Sequence, residues 1–291
     1  MLDNAQISMS RGALVAAERA EGVNDNMSQS HFHDYYELYY LESGERYHMV
    51  DGEIFLLHKG EFFIFPPNRL HHSYGEKDVP FRRICIYFRP SAFLSAEIRQ
   101  CFSGRKSQVF STAHQADRFQ IHRLLEMLLE ETEIKESASS VPSCSEDYLL
   151  SVLNLLLITI IRKSYFPKME LEKTTMAKVV RYLQEHSAED ISIERLAAHF
   201  YISPYYLCRE FKKATGSTII QYLNDVRVIL AKNMFLETSK NVTEVSNAIG
   251  FSNLTHFNRV FKSVTGFTPS AYRKTCHEQA KNVWTAQEHM K

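Results

Sequence analysis

The 291 residues suffice for two domains with separate cores, and a formal charge of zero conceals an asymmetry: residues 171–291 carry 16 Lys and Arg against 11 Asp and Glu, whereas the first 170 carry 18 against 23. The longest apolar run, Leu149 to Ile161, is 13 residues broken by Ser151, Asn154 and Thr159, too short to span a bilayer; Met1 to Asn26 is polar and unlike a signal peptide, so a cytoplasmic chain with no membrane partner is expected. Cys85, Cys101, Cys144, Cys208 and Cys276 are scattered, without the paired spacing of a zinc site or a disulfide framework.

From Gly12 to about Arg89, short β-rich runs alternate with turn residues. Tyr35 to Leu41, Glu45 to Val50, Ile54 to Leu57, Glu61 to Phe65 and Arg82 to Arg89 are separated by Ser-Gly, Asp-Gly and Lys-Gly pairs. Such spacing predicts an antiparallel barrel or sandwich, with Asp51-Gly52 as a tight hairpin turn. Tyr35, Tyr36, Tyr39, Tyr40, Tyr47, Tyr74 and Tyr87 make it rich in phenols, which offer both an apolar face and a hydroxyl. Strand alternation turns about half of them outward.

Within this region stands His31-x-His33-x-x-x-Glu37, followed by Gly44, Gly60, Pro66 and His71. In a strand, residues two apart share a face, so His31 and His33 can meet a common ion, with an inward Glu37 beside them and His71 arriving from another strand. Three nitrogens and one oxygen suit Zn, Fe, Mn or Ni. The order of these residues resembles the two motifs of the cupin superfamily, in which such a set can hold a divalent metal. The second motif departs from the pattern, with Asn68 where Gly and Gly75 where Asn would stand, and His72 is an alternative to His71. The other reading makes His31, His33, Glu37, Tyr39 and His71 the polar lining of a ligand pocket without a metal.

Two helical stretches follow. Asp117 to Glu136 sets Phe119, Ile121, Leu124, Leu125, Leu128 and Leu129 on one side, and Glu146 to Lys163 is apolar around most of its circumference. Ser-rich Ser137 to Ser145, with Pro142, is expected to be a loop, and Tyr165 to Lys173, with Pro167, an interdomain linker. The helices either cover the open side of the barrel or form a dimer contact.

The last hundred residues contain one pattern twice: LAAHFYISPYYLCREFKKATGST from Leu196 and VSNAIGFSNLTHFNRVFKSVTGFT from Val245. The offset is 49 up to Ser203/Ser252 and 50 from Leu207/Phe257 onward. Each copy reads as two short helices at a steep angle, the second suited to a DNA major groove. Ser203 and Ser252 are expected caps and Pro204 suits the first helical position. Leu207 and Phe211, and Phe257 and Phe261, would pack inward, turning Tyr205, Cys208, Arg209 and Lys212, and Thr255, His256, Asn258 and Arg259, outward. Gly250 falls where a positive φ is often needed; Tyr201 matches it in the first copy, which implies a turn that is strained or differently built. Thr218 to Glu237 reads as one helix, with Ile219, Tyr222, Leu223, Val226, Ile229, Leu230, Asn233 and Met234 on a stripe. The C-terminal surplus of positive charge makes this the half to meet phosphates.

The run Phe257-x-Arg259-x-Phe261-Lys262-x-x-x-Gly266-x-Thr268-Pro269-x-x-Tyr272-Arg273 resembles the signature of the AraC/XylS family of bacterial transcription regulators, and the resemblance extends over about Thr174 to Lys274. It implies a seven-helix DNA-binding domain that recognises promoter DNA, a cupin-like sensor domain that binds a small molecule such as a sugar, a homodimer, contact with RNA polymerase, and activation as the usual output. Tyr205, Cys208, Arg209, Thr255, His256, Asn258 and Arg259 are then the expected base readers, with Lys212 and Lys262 on phosphates. The expected fold is α+β: a cupin-like antiparallel β-barrel with accessory helices over residues 1–164, a linker over 165–173, and an all-α domain with two helix-turn-helix motifs over 174–291. A non-enzymatic regulator is expected, with no certain cofactor; the alternative is a metal-dependent cupin enzyme or metal sensor joined to a DNA-binding domain.

Overall fold

The computed structural model describes residues 4–23, 26–27, 29–50, 53–102, 108–112, 114–137, 144–165 and 174–276. They fall into two units, Met1–Glu172 and Lys173–Lys291. The Asp51-Gly52 turn, most of the Ser-rich connection and most of the expected linker lie outside the described residues.

In the first unit α1 (Asn4–Ser10) precedes β1 (Val15–Val23), β2 (Tyr36–Ser43), β3 (Glu45–Val50), β4 (Glu53–His58), β5 (Phe62–Phe65), β6 (His71–Tyr74) and β7 (Pro80–Phe88). A single 3-10 turn then leads to α2 (Ala96–Phe102), β8 (Gln108–Thr112), α3 (Gln115–Ser137), α4 (Ser145–Lys163) and β9 (Ser164–Tyr165). The strands form a six-stranded sheet, β1-β7-β2-β5-β8-β9, and a three-stranded one, β4-β3-β6, with antiparallel pairing throughout. The expected barrel is therefore present as two facing sheets rather than one closed ladder. An isolated bridge, His31 to His71, ties the segment before β2 to β6.

Strand alternation explains the layers. Tyr36, Leu38 and Tyr40 of β2 join Ile84, Ile86 and Phe88 of β7 against Leu124, Leu125 and Leu128 of α3 and Leu153, Leu156 and Leu157 of α4. Tyr39 and Leu41 point the other way with Phe63, Phe65, Cys85 and Tyr87, toward Val50, Phe55 and Leu57 of the small sheet and Met9 of α1. Strand β2, covered on both faces, is buried at seven successive positions. Each such apolar side chain withdrawn from water contributes ~1.5–3 kcal/mol.

Helices α3 and α4 cover the outer face of the large sheet, which supplies the burial that the apolar circumference of α4 requires. Phe119, expected on the inward side of α3, is instead 74% exposed, because the buried stripe starts two residues later at Ile121. Glu42, on this outer face, is held by Arg19 at 2.9 Å, Arg82 at 3.1 Å and His122 at 3.0 Å, with Glu126 also paired to Arg19. Those arginines neutralise the carboxylates, so the group reads as an ion-pair network.

The second unit contains α5 (Thr175–Glu185), α6 (Ile193–His199), α7 (Pro204–Thr215), α8 (Ile219–Glu237), α9 (Val242–Ala248) and α10 (Leu254–Thr265), and residues 269–276 are also helical. That makes seven helices among the described residues, the number the resemblance implies. Helix α8 starts at the Thr218 capping box, as expected from sequence. Its buried face differs from the expected stripe. Ile219, Tyr222, Leu223 and Val226 are buried, but Leu230 is exposed, and Val228, Ala231, Lys232 and Phe235 take over. The face rotates because α8 packs against α5 and α7 along one part and against α9 and α10 along another.

Candidate functional site

The two helix-turn-helix copies are built alike down to their stops. Ser203 caps α7 by accepting from the Tyr206 amide at 3.2 Å, with Pro204 in the first turn. In the second copy the cap is Asn253, accepting from the His256 amide at 3.0 Å, and not Ser252. Ser252 is therefore the inserted residue that changes the offset, and Asn253 offers the better-placed side-chain oxygen. Leu207 and Phe211, and Phe257 and Phe261, are fully buried.

The repeated Thr-Gly-x-Thr string is a stop-and-restart device that the sequence displayed without revealing its purpose. Thr215 bonds the Phe211 carbonyl at 2.8 Å and accepts from the Ser217 amide at 3.2 Å, and Thr265 repeats this with Phe261 at 2.7 Å and Phe267 at 3.2 Å. Gly216 and Gly266 follow with φ of 71° and 78°, and Thr218 and Thr268 cap the next helices through the Gln221 and Ala271 amides.

On α7, Tyr205, Arg209 and Lys212 are exposed and Cys208 is half-buried; on α10, Thr255, His256, Asn258, Arg259 and Lys262 are all exposed. Sequence reasoning missed Tyr206, exposed beside Tyr205. The Arg209 guanidinium lies 5.8 Å and 5.7 Å from those two rings, and its Nε donates to Glu210 at 2.9 Å. The two turns are built alike: Gly250 has φ +88° and Tyr201 φ +55°, and the next amides, of Phe251 and Ile202, bond the Ser246 and Ala197 carbonyls at 3.0 Å in both, so Tyr201 holds the same turn under strain. A Cβ on Gly250 would fall 2.5 Å from the Ala188 carbonyl oxygen. The same loop is gripped by Arg227 of α8, which donates to the carbonyls of Ser187 at 2.7 Å and Glu189 at 2.8 Å and lies 5.4 Å from the Phe251 ring. Loop 187–189 thus fixes the second turn to the helix that joins the two copies.

In the first unit, His31, His33, Glu37 and His71 converge with their ligand atoms all within 4.8 Å of one another. The reason differs from the expected one, since only Glu37 of the first three lies on a strand. His31 and His33 occupy a stretch pinned to β6 by mutual His31–His71 backbone bonds of 3.0 Å and by the Asn68 amide on the His33 carbonyl at 2.7 Å. Asn68, standing where the cupin pattern has Gly, has φ +59° and fills the glycine-like conformation. The structure selects His71 over His72.

His33 Nε2 lies 3.0 Å and His71 Nε2 3.4 Å from Glu37 Oε2. The other carboxylate oxygen accepts from the Cys85 thiol at 3.5 Å, and that sulfur in turn receives Arg83 at 3.0 Å. Burial would raise Glu37, but hydrogen bonding and positive charge from His33 and His71 outweigh it and hold the carboxyl well below its usual range. Burial, reinforced by His71, pushes His31 well down.

Tyr39, an expected pocket residue, lies deeper in the same interior. Its ring meets His48 at 4.4 Å, and burial pushes its phenol up to about 12. Sequence reasoning missed His48, fully buried with no hydrogen-bond partner at either ring nitrogen among the described residues and pushed well down by burial and Arg46. It also missed Arg83 and Cys85. The signal lay in alternation, since Arg83, Cys85 and Tyr87 on β7 are two apart, as are Arg46 and His48 on β3. Tyr36 and Tyr40 face the helices instead.

A family model for the AraC-like ligand binding domain matches residues 13–153, and one for the helix-turn-helix domain matches residues 196–275. Both units of the chain are thus similar to those of AraC-type transcriptional regulators. It is 24% identical over 245 residues to the HTH-type transcriptional activator RhaS of Enterobacter sp. (strain 638), covering 84% of this chain and 87% of RhaS. It is 26% identical over 231 residues to the arabinose operon regulatory protein of Escherichia coli (strain K12), covering 76% and 74%. Regulatory protein PocR of Salmonella typhimurium is 31% identical over 105 residues, 36% of this chain. The chain spans 35% to 46% of the length of the first curated relatives it matches.

Proposed function

We propose that the chain is a sequence-specific, DNA-binding transcription regulator whose N-terminal unit binds an effector. The observation that carries this is the duplicated, identically terminated helix-turn-helix, with exposed polar faces on both α7 and α10. At ~1.5 Å per residue, the 19 residues of α8 extend about 28 Å, near the ~34 Å between successive major-groove faces, so the two heads suit adjacent turns of one duplex. Arg209 and Arg259 are the guanine readers, Tyr205, Cys208, Thr255, His256 and Asn258 contact neighbouring base edges or thymine methyls, and Lys212 and Lys262 hold phosphates.

The effector occupies the interior between the sheets, beside His31, His33, Glu37, Tyr39 and His71. Its differential affinity for two arrangements of the protein sets how the reading helices meet promoter half-sites. A cytoplasmic homodimer that activates transcription through RNA polymerase is the form we propose, with binding rather than catalysis at the interior site. The relatives named as activators and operon regulators support this reading. No helix among the described residues is long and apolar enough to cross a membrane. The test is binding of the full chain to a selected duplex and to a scrambled one at fixed salt. A preference of roughly 10³-fold or more is expected; equal affinities would refute the reading.

A further inference from the structure

The histidine cluster has a proton problem that points to its occupant. His33 Nδ1 is 2.7 Å from the Tyr35 carbonyl and His71 Nδ1 2.8 Å from the Arg69 carbonyl. A carbonyl can only accept, so both rings carry their proton on Nδ1 and, when neutral, present a bare lone pair at Nε2. Those lone pairs face Glu37 Oε2 at 3.0 Å and 3.4 Å. His31 Nε2, also buried, has no hydrogen-bond partner among the described residues. Acceptors turned on one another repel, so either the rings carry a second proton, as in ion pairs with Glu37, or a metal cation lies among them.

We propose that His31, His33, Glu37 and His71 bind one divalent first-row transition-metal ion, through three imidazole nitrogens and one Glu37 oxygen. Remote ring nitrogens bonded to backbone carbonyls are what orient histidine ligands and fix their tautomer. Glu37 Oε1 is engaged by Cys85, which leaves Oε2 for the ion. Ligands at ~2.1 Å around a tetrahedral centre lie about 3.4 Å apart; the observed spread of up to 4.8 Å closes to that with small side-chain movements. Three imidazoles and one carboxylate favour zinc, iron, nickel or manganese over calcium or magnesium, which take oxygen ligands. The ion would join the segment before β2, and Glu37 on β2, to His71 on β6, clamping the two sheets at one end. Its regulatory meaning rests on the proposed effector role of this unit, but the binding itself does not.

The test uses untagged full-length protein, stripped with a chelator and titrated with Co(II) and then Zn(II). Optical absorption and calorimetry report occupancy, and a thermal scan reports stability. One ion per chain is expected, with visible cobalt bands and a raised transition temperature for the N-terminal unit. Glu37→Gln and His71→Gln should weaken binding by more than the roughly 10–100-fold typical of losing a supporting partner. His48→Gln, in the same interior but outside the set, should bind as the parent does. Absence of stoichiometric binding in the stripped parent, or undiminished binding in folded Glu37→Gln and His71→Gln, overturns the proposal. So does a metal-indifferent chain in which nitrogen NMR finds both His33 nitrogens protonated. Duplex binding measured on the same samples separates the readings: a stripped parent that takes up no metal yet keeps its sequence preference refutes this inference alone.

Discussion

Gly250 and Tyr201 occupy matching turns, and exchanging their chemistry tests whether the second turn is held as described. Gly250→Ala places a Cβ at φ +88°, beyond the left-handed region that costs an L-residue ~1–2 kcal/mol. It also puts that carbon 2.5 Å, 2.8 Å and 2.9 Å from the O, C and Cα of Ala188. The backbone there cannot retreat freely, because Arg227 holds the carbonyls on either side. Overpacking against such a fixed neighbour adds roughly 1–3 kcal/mol, for a total loss of about 2–5 kcal/mol. Tyr201→Gly runs the other way. Its side chain is 95% exposed, so little packing is lost, and relief of the φ +55° backbone is offset by the extra freedom of Gly when unfolded. The net is a change between zero and about 1 kcal/mol in favour of folding. Urea unfolding of the full chain, with hydrogen exchange localising the loss to α9 and α10, measures both. With a slope of about 2 kcal/mol per molar, the Gly250→Ala midpoint falls by ~1–2.5 M. A Gly250→Ala chain within about 0.5 kcal/mol of the parent would refute the account of how the turn is fixed.

Burial raises Asp225 on α8 to about 7. Since its unfolded value is ~3.9, the folded state binds the extra proton between those limits, and stability is fullest below ~4 and declines as pH rises through 7. Asp225→Asn should therefore be the more stable chain at pH 8, by at most about 4 kcal/mol, with the gap closing toward pH 4; parallel pH profiles would contradict this. Lys262→Ala should weaken binding to all duplexes alike and reduce the slope of log affinity against log salt by about 1. A sequence-dependent loss would make Lys262 a base reader instead.

The C-terminal unit was legible almost to the residue because its signals are local. Caps, a Pro in the first turn, buried Phe pairs and terminal glycines each act within one or two turns of helix. The Ser252 cap failed because two adjacent residues, Ser252 and Asn253, could both serve, and the one-residue insertion puts Asn253 at the helix start. The stripe on α8 failed for a non-local reason, as a helix between two bundles buries different faces along its length. In the N-terminal unit most strand runs were visible, but β8 and β9 were not, nor was β1, whose AERAEG stretch is polar where it leaves the core. The four clustered residues were found by spacing, yet their meeting depends on the His31–His71 bridge, a contact across 40 residues that no local pattern encodes. The interior polar residues His48 and Arg83 were missed because alternation gives a side only once the sheet pairing is known.

The most direct test of the central claim is selection of preferred duplexes from a random pool by the full-length protein, repeated with Arg209→Ala and with Arg259→Ala. Two enriched elements about one helical turn apart are predicted, with Arg209→Ala relaxing one and Arg259→Ala the other, each by ~1–3 kcal/mol at a single position. No enrichment, or one element eroded equally by both substitutions, would contradict a chain that reads DNA with two heads.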